Sequence, residues 1–240
     1  MKRVMWSALM GLAMFAGVPS TVYAQPSQYA FAGTDLANTP NAGISAMLLV
    51  NKLKDIHASN RGWYSNDGAN NGGSAVNSFF VGVCGQSDCL DDVLVMNNWF
   101  LFDLSEFSTV TSAILRLRAP INGYRNDAGT SSLDYLLHQI SGNYGALGLG
   151  PSTAMFRDLG DGTFFGSTTI VKMDYEHLFE IELNAAGLAA LNNERQNNFW
   201  AVGGSIRYDM QVVPEPSTYA LLCAGLAGIA FAHRKRKKAA

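Results

Sequence analysis

The sequence predicts a mainly β protein: an antiparallel β-sandwich of jelly-roll type with one short helix, flanked by an N-terminal signal helix and a C-terminal transmembrane helix. Three observations predict it. From residue 75 to 207, short runs rich in β-branched and aromatic residues recur at roughly ten-residue spacing, separated by Gly, Asn and Asp. The chain of 240 residues carries 24 glycines and is 48% apolar but only 15% charged, a turn-rich composition with ample material for a core. Long uncharged apolar stretches lie at both ends, each beside a cationic cluster.

The first element is an address. Lys2 and Arg3 precede an uncharged apolar run over 4–18, Pro19 breaks it, and Val22-Tyr23-Ala24 presents the small or modest side chains that a signal peptidase inspects. A signal peptide over 1–24, cut after Ala24, is predicted, leaving a sandwich domain over 25–212.

Within that domain the apolar run Ala46-Met47-Leu48-Leu49-Val50 is read as strand, and further strands are predicted at 77–82, 93–104, 111–119, 133–140, 167–173, 178–183 and 198–207. Side chains alternate between the two faces of a strand, so each run assigns its own faces. In the second, Phe100, Phe102 and Leu104 oppose Trp99, Leu101 and Asp103. In the third, Ala113, Leu115, Leu117 and Ala119 face inward while Ile114, Arg116 and Arg118 face out. Phe179, Ile181 and Leu183 likewise oppose Leu178, Glu180 and Glu182. A bulge is expected at Gly203-Gly204 in the closing strand. The one helix should start after Asn184, which can cap it, and run through Ala185-Ala186-Gly187-Leu188-Ala189-Ala190-Leu191.

The last 28 residues form a second address. The stretch 217–232 has no charged residue, and as a helix of about 1.5 Å per residue it nearly spans a hydrocarbon core. Arg234, Lys235, Arg236, Lys237 and Lys238 follow, and the positive-inside rule keeps them cytoplasmic. Val213-Pro214-Glu215-Pro216-Ser217, then the short apolar span, then the basic end, resembles the PEP-CTERM protein-sorting signal of Gram-negative bacteria that make exopolysaccharide. The resemblance implies that an exosortase recognises Pro214, Glu215 and Pro216 in the inner membrane, cleaves nearby and removes the tail over 213–240. Tandem prolines suit this, because they hold the segment extended.

A second resemblance covers about 52–208. Asn60-Arg61-Gly62-Trp63-Tyr64, Asn98-Trp99-Phe100-Leu101-Phe102-Asp103-Leu104-Ser105, Asp158-Leu159-Gly160-Asp161-Gly162-Thr163 and Phe199-Trp200-Ala201-Val202-Gly203-Gly204 are similar to phrases of exported bacterial β-sandwich domains that accompany this signal. Some of these also resemble carbohydrate-binding-module-like sandwiches. The resemblance implies fold and location, and no activity.

Charge partitions the same way. Seven of the 17 cationic residues lie at the two ends, so ten face 19 acids in between, an excess of nine negative charges. General nucleic-acid binding, which needs basic surface to displace counterions, is excluded as a function class. Of three cysteines, Cys223 sits in the apolar tail, and Cys84 and Cys89 bracket a short polar loop that can close as a disulfide in an oxidising compartment.

Candidate chemistry is sparse. Asp88, Asp91 and Asp92, and Asp158 with Asp161, read as turn aspartates bonding their own backbone. No cofactor is expected; if calcium binds, Asp158 and Asp161 are the first candidates, although the closing acids of an EF-hand loop are absent. His57, His138 and His177 show no ligand spacing, and there is no Gly-x-Ser-x-Gly, His-Glu-x-x-His or phosphate-loop motif. Trp63 and Tyr64, beside the amide-rich loop 65–73, are candidates for stacking on sugar rings; the alternative role of Trp63 is a core anchor. The leading expectation is an exported protein without catalytic activity, handled by signal peptidase and an exosortase, passing through the inner membrane to the cell surface or extracellular matrix. An alternative is a carbohydrate-binding module for exopolysaccharide, and a third is a secreted hydrolase.

Overall fold

The computed structural model describes residues 26–31, 46–71, 79–85, 89, 93–119, 123–172 and 177–207. The signal peptide over 1–24, the sorting motif Pro214-Glu215-Pro216, the apolar stretch 217–232, the basic cluster after it and Asp88, Asp91 and Asp92 lie outside the described residues. The strands are β1 (Gln28–Ala30), β2 (Ala46–Val50), β3 (Lys54–His57), β4 (Asn60–Ser65), β5 (Val81–Cys84), β6 (Leu94–Asp103), β7 (Ala113–Ala119), β8 (Arg125–Asn126), β9 (Ser132–Gln139), β10 (Phe164–Val171), β11 (His177–Glu182) and β12 (Phe199–Arg207). Helix α1 (Thr153–Asp161) precedes β10, and α2 (Ala185–Glu194) joins β11 to β12.

All pairing is antiparallel, in two sheets. The smaller runs β11-β7-β2-β3; the larger runs β10-β9-β12-β6-β5-β1-β8, with β4 also on β6. Met96 faces Ser65 across one edge of β6 and Gly82 across the other, and Asn98 likewise faces Trp63 and Gly204. It follows that β5 and β12 succeed one another along the same edge of β6, with β4 alone on the opposite edge. The larger sheet curls into a half-barrel.

The alternation read from the sequence makes the core. In β7, Ala113, Leu115, Leu117 and Ala119 are buried while Ile114, Arg116 and Arg118 are half-buried. Phe179, Ile181 and Leu183 meet them from β11, and Phe100, Phe102 and Leu104 from the larger sheet. Each fully buried side chain of this kind stabilises the fold by about 1.5–3 kcal/mol before chain entropy is counted. Aromatic rings fill the space between: Phe31 packs on Phe79 at 5.1 Å and on Tyr135 at 5.8 Å, and Phe102 and Phe165 flank Trp200 at 6.0 and 6.4 Å. On the wet face of the small sheet Arg116 bridges Asp55 (3.1 Å) and Glu180 (2.8 Å), exposed pairs worth about 0–1 kcal/mol each.

The β2–β3 connection shows local chemistry at work. Asn51 (φ 52°) and Lys52 (φ 57°) are both left-handed, the twist a tight hairpin requires, and Leu53 N–H donates to Val50 O at 3.0 Å. The Asn51 side chain fastens this turn to the next loop, accepting from Thr111 N–H at 2.8 Å and donating to Thr109 O at 3.0 Å.

Three expectations are corrected. There are two helices, not one, among the described residues: α2 begins where expected, with Asn184 Oδ1 accepting from Gly187 N–H, but α1 occupies a stretch read as turns. The Gly203-Gly204 pair makes no bulge. Both residues stay in register with Trp99 and Asn98 on β6 and with His138 and Leu137 on β9, and the irregularity lies in β10 between Phe164 and Gly166. These glycines instead permit close approach: a Cβ on Gly203 would stand 2.5 Å from Leu159 O, and one on Gly204 would stand 1.8 Å from the Tyr135 hydroxyl. Finally, the strand expected at 77–82 is set later, as β5; Asn77 and Ser78 lie outside the described residues.

Candidate functional site

Sheet geometry separates the two aromatics that the sequence placed together. Neighbouring strand residues point to opposite faces. Tyr64 lies opposite Asn97, on the face that α1 covers, and is fully buried with Trp99, Ile140, Leu147, Leu159 and Ala201. Its hydroxyl accepts from Gly148 N–H at 2.8 Å and donates to Ala146 O at 3.2 Å, and burial pushes its pKa up. Tyr64 is thus an anchor for the segment after β9, and no joint platform with Trp63 exists. Trp63 lies opposite Asn98, half-buried, with its backbone N–H donating to Asn71 Oδ1 at 2.9 Å. Asn71 folds back so closely that a Cβ on Gly62 would stand 2.5 Å from Oδ1.

The polar loop after β4 is occupied with itself. Asp67 accepts from the Ser65 hydroxyl and from Ala69 N–H (3.0 Å), which hold its carboxyl below the usual carboxylate range. Asn66 bonds Val95 in both directions, at 2.9 and 3.0 Å, and Gly68 O accepts from Ser152 N–H at 2.7 Å, at the start of α1.

Asp158 and Asp161 are helical rather than turn residues. Ser152 caps α1 by accepting from Met155 N–H at 3.1 Å, and Met155, Phe156 and Leu159 turn toward the sheet. Asp158 does not bond its own turn: its carboxylate takes Ser141 N–H at 3.0 and 3.1 Å, Gly142 N–H at 2.9 Å and the Ser141 hydroxyl. It ties α1 to the loop leaving β9. Asp161 is exposed at the helix end. Among the described residues no three of His, Cys, Asp and Glu stand together in a way that could hold a metal.

Cys84 and Cys89 are joined in a disulfide, with Cα atoms 5.8 Å apart. Gly85 N–H, just inside the ring, donates to Ser27 Oγ at 3.0 Å and so fixes β5 against the start of β1. Of the histidines, His57 is exposed on β3, His177 packs on Phe179 at 4.7 Å, and His138 Nδ1 donates to Gly162 O at 3.1 Å.

Two groupings were not foreseen. Tyr144 and Glu194 meet, half-buried, where α2 ends; burial raises both pKa values, and the Glu194 and Asp158 charges raise that of Tyr144 further. The second is an open cleft of about 190 Å³ lined by Gln28, Thr130, Ser132, Leu133, Asp134 and Arg207. Arg207 and Asp134 are cross-strand neighbours on β12 and β9, yet no ion pair closes between them. Gln28 is only 2% exposed and its Nε2 has no partner. The cleft draws on three stretches far apart in the chain, and no local pattern announces it.

Residues 212–236 match the family model of the PEP-CTERM protein-sorting motif. No curated protein and no solved structure matches the chain.

Proposed function

From the premise that this is a PEP-CTERM protein, exported and sorted by an exosortase, we propose that its working form is the sandwich over 25–212, displayed at the cell surface or in the extracellular matrix of a Gram-negative bacterium and without catalytic activity of its own. In this reading signal peptidase removes 1–24. The stretch 217–232 holds the precursor in the inner membrane with Arg234 to Lys238 on the cytoplasmic side, and the exosortase cuts near Pro214, Glu215 and Pro216. The domain is read as jelly-roll-like.

The observation that carries the reading is the position of the motif. It begins at residue 212, just past Arg207, where the last described strand ends. A cut there leaves every described element intact. The absence of catalysis is supported by how two carboxylates of the domain are used: Asp67 closes its own turn, and Asp158, singled out in the sequence, holds the backbone of Ser141 and Gly142. Mass spectrometry of the exported protein from an exosortase-competent host tests the processing. A chain starting at Gln25 and lacking 235–240 is expected, and an intact C-terminus refutes it.

A second reading, a carbohydrate-binding module for exopolysaccharide, draws its support from Trp63, a half-buried indole on the strand that occupies an edge of β6. Trp63→Ala should leave the melting temperature within a few degrees while lowering retention on the host's exopolysaccharide. Unchanged retention overturns this reading.

A further inference from the structure

We propose that the cleft between β1, β9 and β12 is a binding site for a single neutral sugar residue, formed by Gln28, Ser132, Asp134 and Arg207. The proposal deepens the carbohydrate-binding reading but places the contact away from Trp63, on different strands.

The argument rests on unused hydrogen-bonding capacity gathered in one recess. Gln28 is nine-tenths buried and more, yet its Nε2, with two N–H donors, meets no acceptor. A buried donor without a partner is destabilising, and this one is closed to solvent, so it reaches a ligand oxygen only when the Gln28 amide turns toward the cleft it lines. Arg207 is exposed at the end of β12 with no hydrogen-bond partner among the described residues, presenting a planar fork of donors. Asp134 supplies acceptors: one oxygen takes the Thr169 hydroxyl at 3.3 Å, a long bond, and the other takes no hydrogen bond among the described residues. The Ser132 hydroxyl has no partner either, whereas its neighbour Thr130 is already committed, accepting from Asn126 Nδ2 at 2.6 Å and donating to Ser132 O at 3.1 Å.

The balance of these groups selects the ligand. Donors from an amide and a guanidinium stand with a carboxylate acceptor and a hydroxyl that can do either, which is the set that grips adjacent hydroxyls, each at once donor and acceptor. A purely anionic ligand would meet Asp134 and the negative excess of the domain, and a purely cationic one would meet Arg207. The recess, about 190 Å³, falls below the range of pockets for drug-sized molecules and suits one ring. Its walls are also built rather than incidental. Asn126 Nδ2 donates to Thr130 O at 2.9 Å, shaping the turn between β8 and β9, and Gln28 is paired on both edges, with Val83 and Asn126.

The test is ligand-observed NMR on the full chain, held in a detergent without a sugar headgroup, titrated with methyl glucoside, methyl galactoside, methyl mannoside and glucuronate. Saturable binding of at least one neutral glycoside is expected, with Kd on the order of 1–10 mM for so small a ligand. Arg207→Ala and Asp134→Asn, both at exposed positions, should each weaken it about tenfold or more. Ser132→Ala offers a milder substitution should either charge variant misfold, and should weaken binding several-fold. Failure of all three neutral glycosides to saturate, or preference for glucuronate, overturns the proposal. Binding lost in Trp63→Ala but kept in the cleft variants also overturns it, while upholding the reading based on Trp63.

Discussion

Replacing Gly204 with alanine puts a methyl group where the Tyr135 hydroxyl stands. That Cβ would lie 1.8 Å from the hydroxyl oxygen and 2.3 Å from Asn98 Oδ1. Neither neighbour has room to retreat, since Tyr135 and Asn98 are fully buried and bonded to each other at 2.7 Å, and Asn98 Nδ2 is held by Phe79 O at 2.8 Å. Two costs add. Overpacking a dense core takes about 1–3 kcal/mol, and splitting a buried hydrogen-bonded pair takes about another 1–3 kcal/mol. The sum of about 2–6 kcal/mol, with a urea m value near 2 kcal/mol/M, lowers the unfolding midpoint by roughly 1–3 M. Gly129→Ala is the control. Gly129 has φ +80° but nothing within 4 Å of the added Cβ, so only the left-handed strain of about 1–2 kcal/mol applies. Equal midpoints for the two variants, or a loss below about 1 kcal/mol at Gly204, would refute the claim that this glycine exists to admit the tyrosine.

Three further outcomes are expected. Cys84→Ser opens a ring of sequence separation 5 and should cost about 2 kcal/mol by loop entropy, read as a lower melting temperature that reductant no longer changes. Asn184→Ala removes the cap of α2 and the 2.9 Å bond to Phe164 O, for about 1–2 kcal/mol by urea titration. Burial raises the Glu194 pKa, so its protonated form is favoured by folding; that stabilisation is complete below the ordinary glutamate pKa and is lost as pH rises through the raised value. Asp67 and Asp103, both held low by hydrogen bonds, tilt stability the other way in wild type and variant alike. The difference in melting temperature between Glu194→Gln and wild type should therefore grow in favour of the variant across that window, and a flat difference would contradict it.

What could be read from the sequence was whatever one strand decides alone. In β7 and β11 one face is wet and one dry, so alternation assigned both correctly, down to Arg116 and Glu180 on the outside. The cap of α2 was legible for the same reason, since Asn184 and Gly187 are neighbours. Helix α1 was not. Its two aspartates and its glycine imitate a turn, and the glycine answers a tertiary demand instead: a Cβ on Gly160 would stand 2.6 Å from Asn97 Nδ2, whose amide donates to Phe156 O at 2.9 Å. The Gly203-Gly204 pair misled similarly, because what it makes room for, the Leu159 carbonyl and the Tyr135 hydroxyl, comes from elsewhere in the chain. The site followed this pattern. Trp63 and Tyr64 were found as residues, but only the strand could say that they part company, and the cleft joins residues from both ends of the domain.

The position of β12 has a mechanical consequence. It is the last described strand, yet it is an interior one, laddered to β6 over 199–204 and to β9 over 202–207. Inter-strand hydrogen bonds run perpendicular to a strand, so tension applied along the chain beyond Arg207 loads both ladders sideways and together, instead of opening them one bond at a time. A domain tethered or dragged by its C-terminal segment is thus gripped by a strand fastened along both edges, and traction there meets shear resistance rather than peeling.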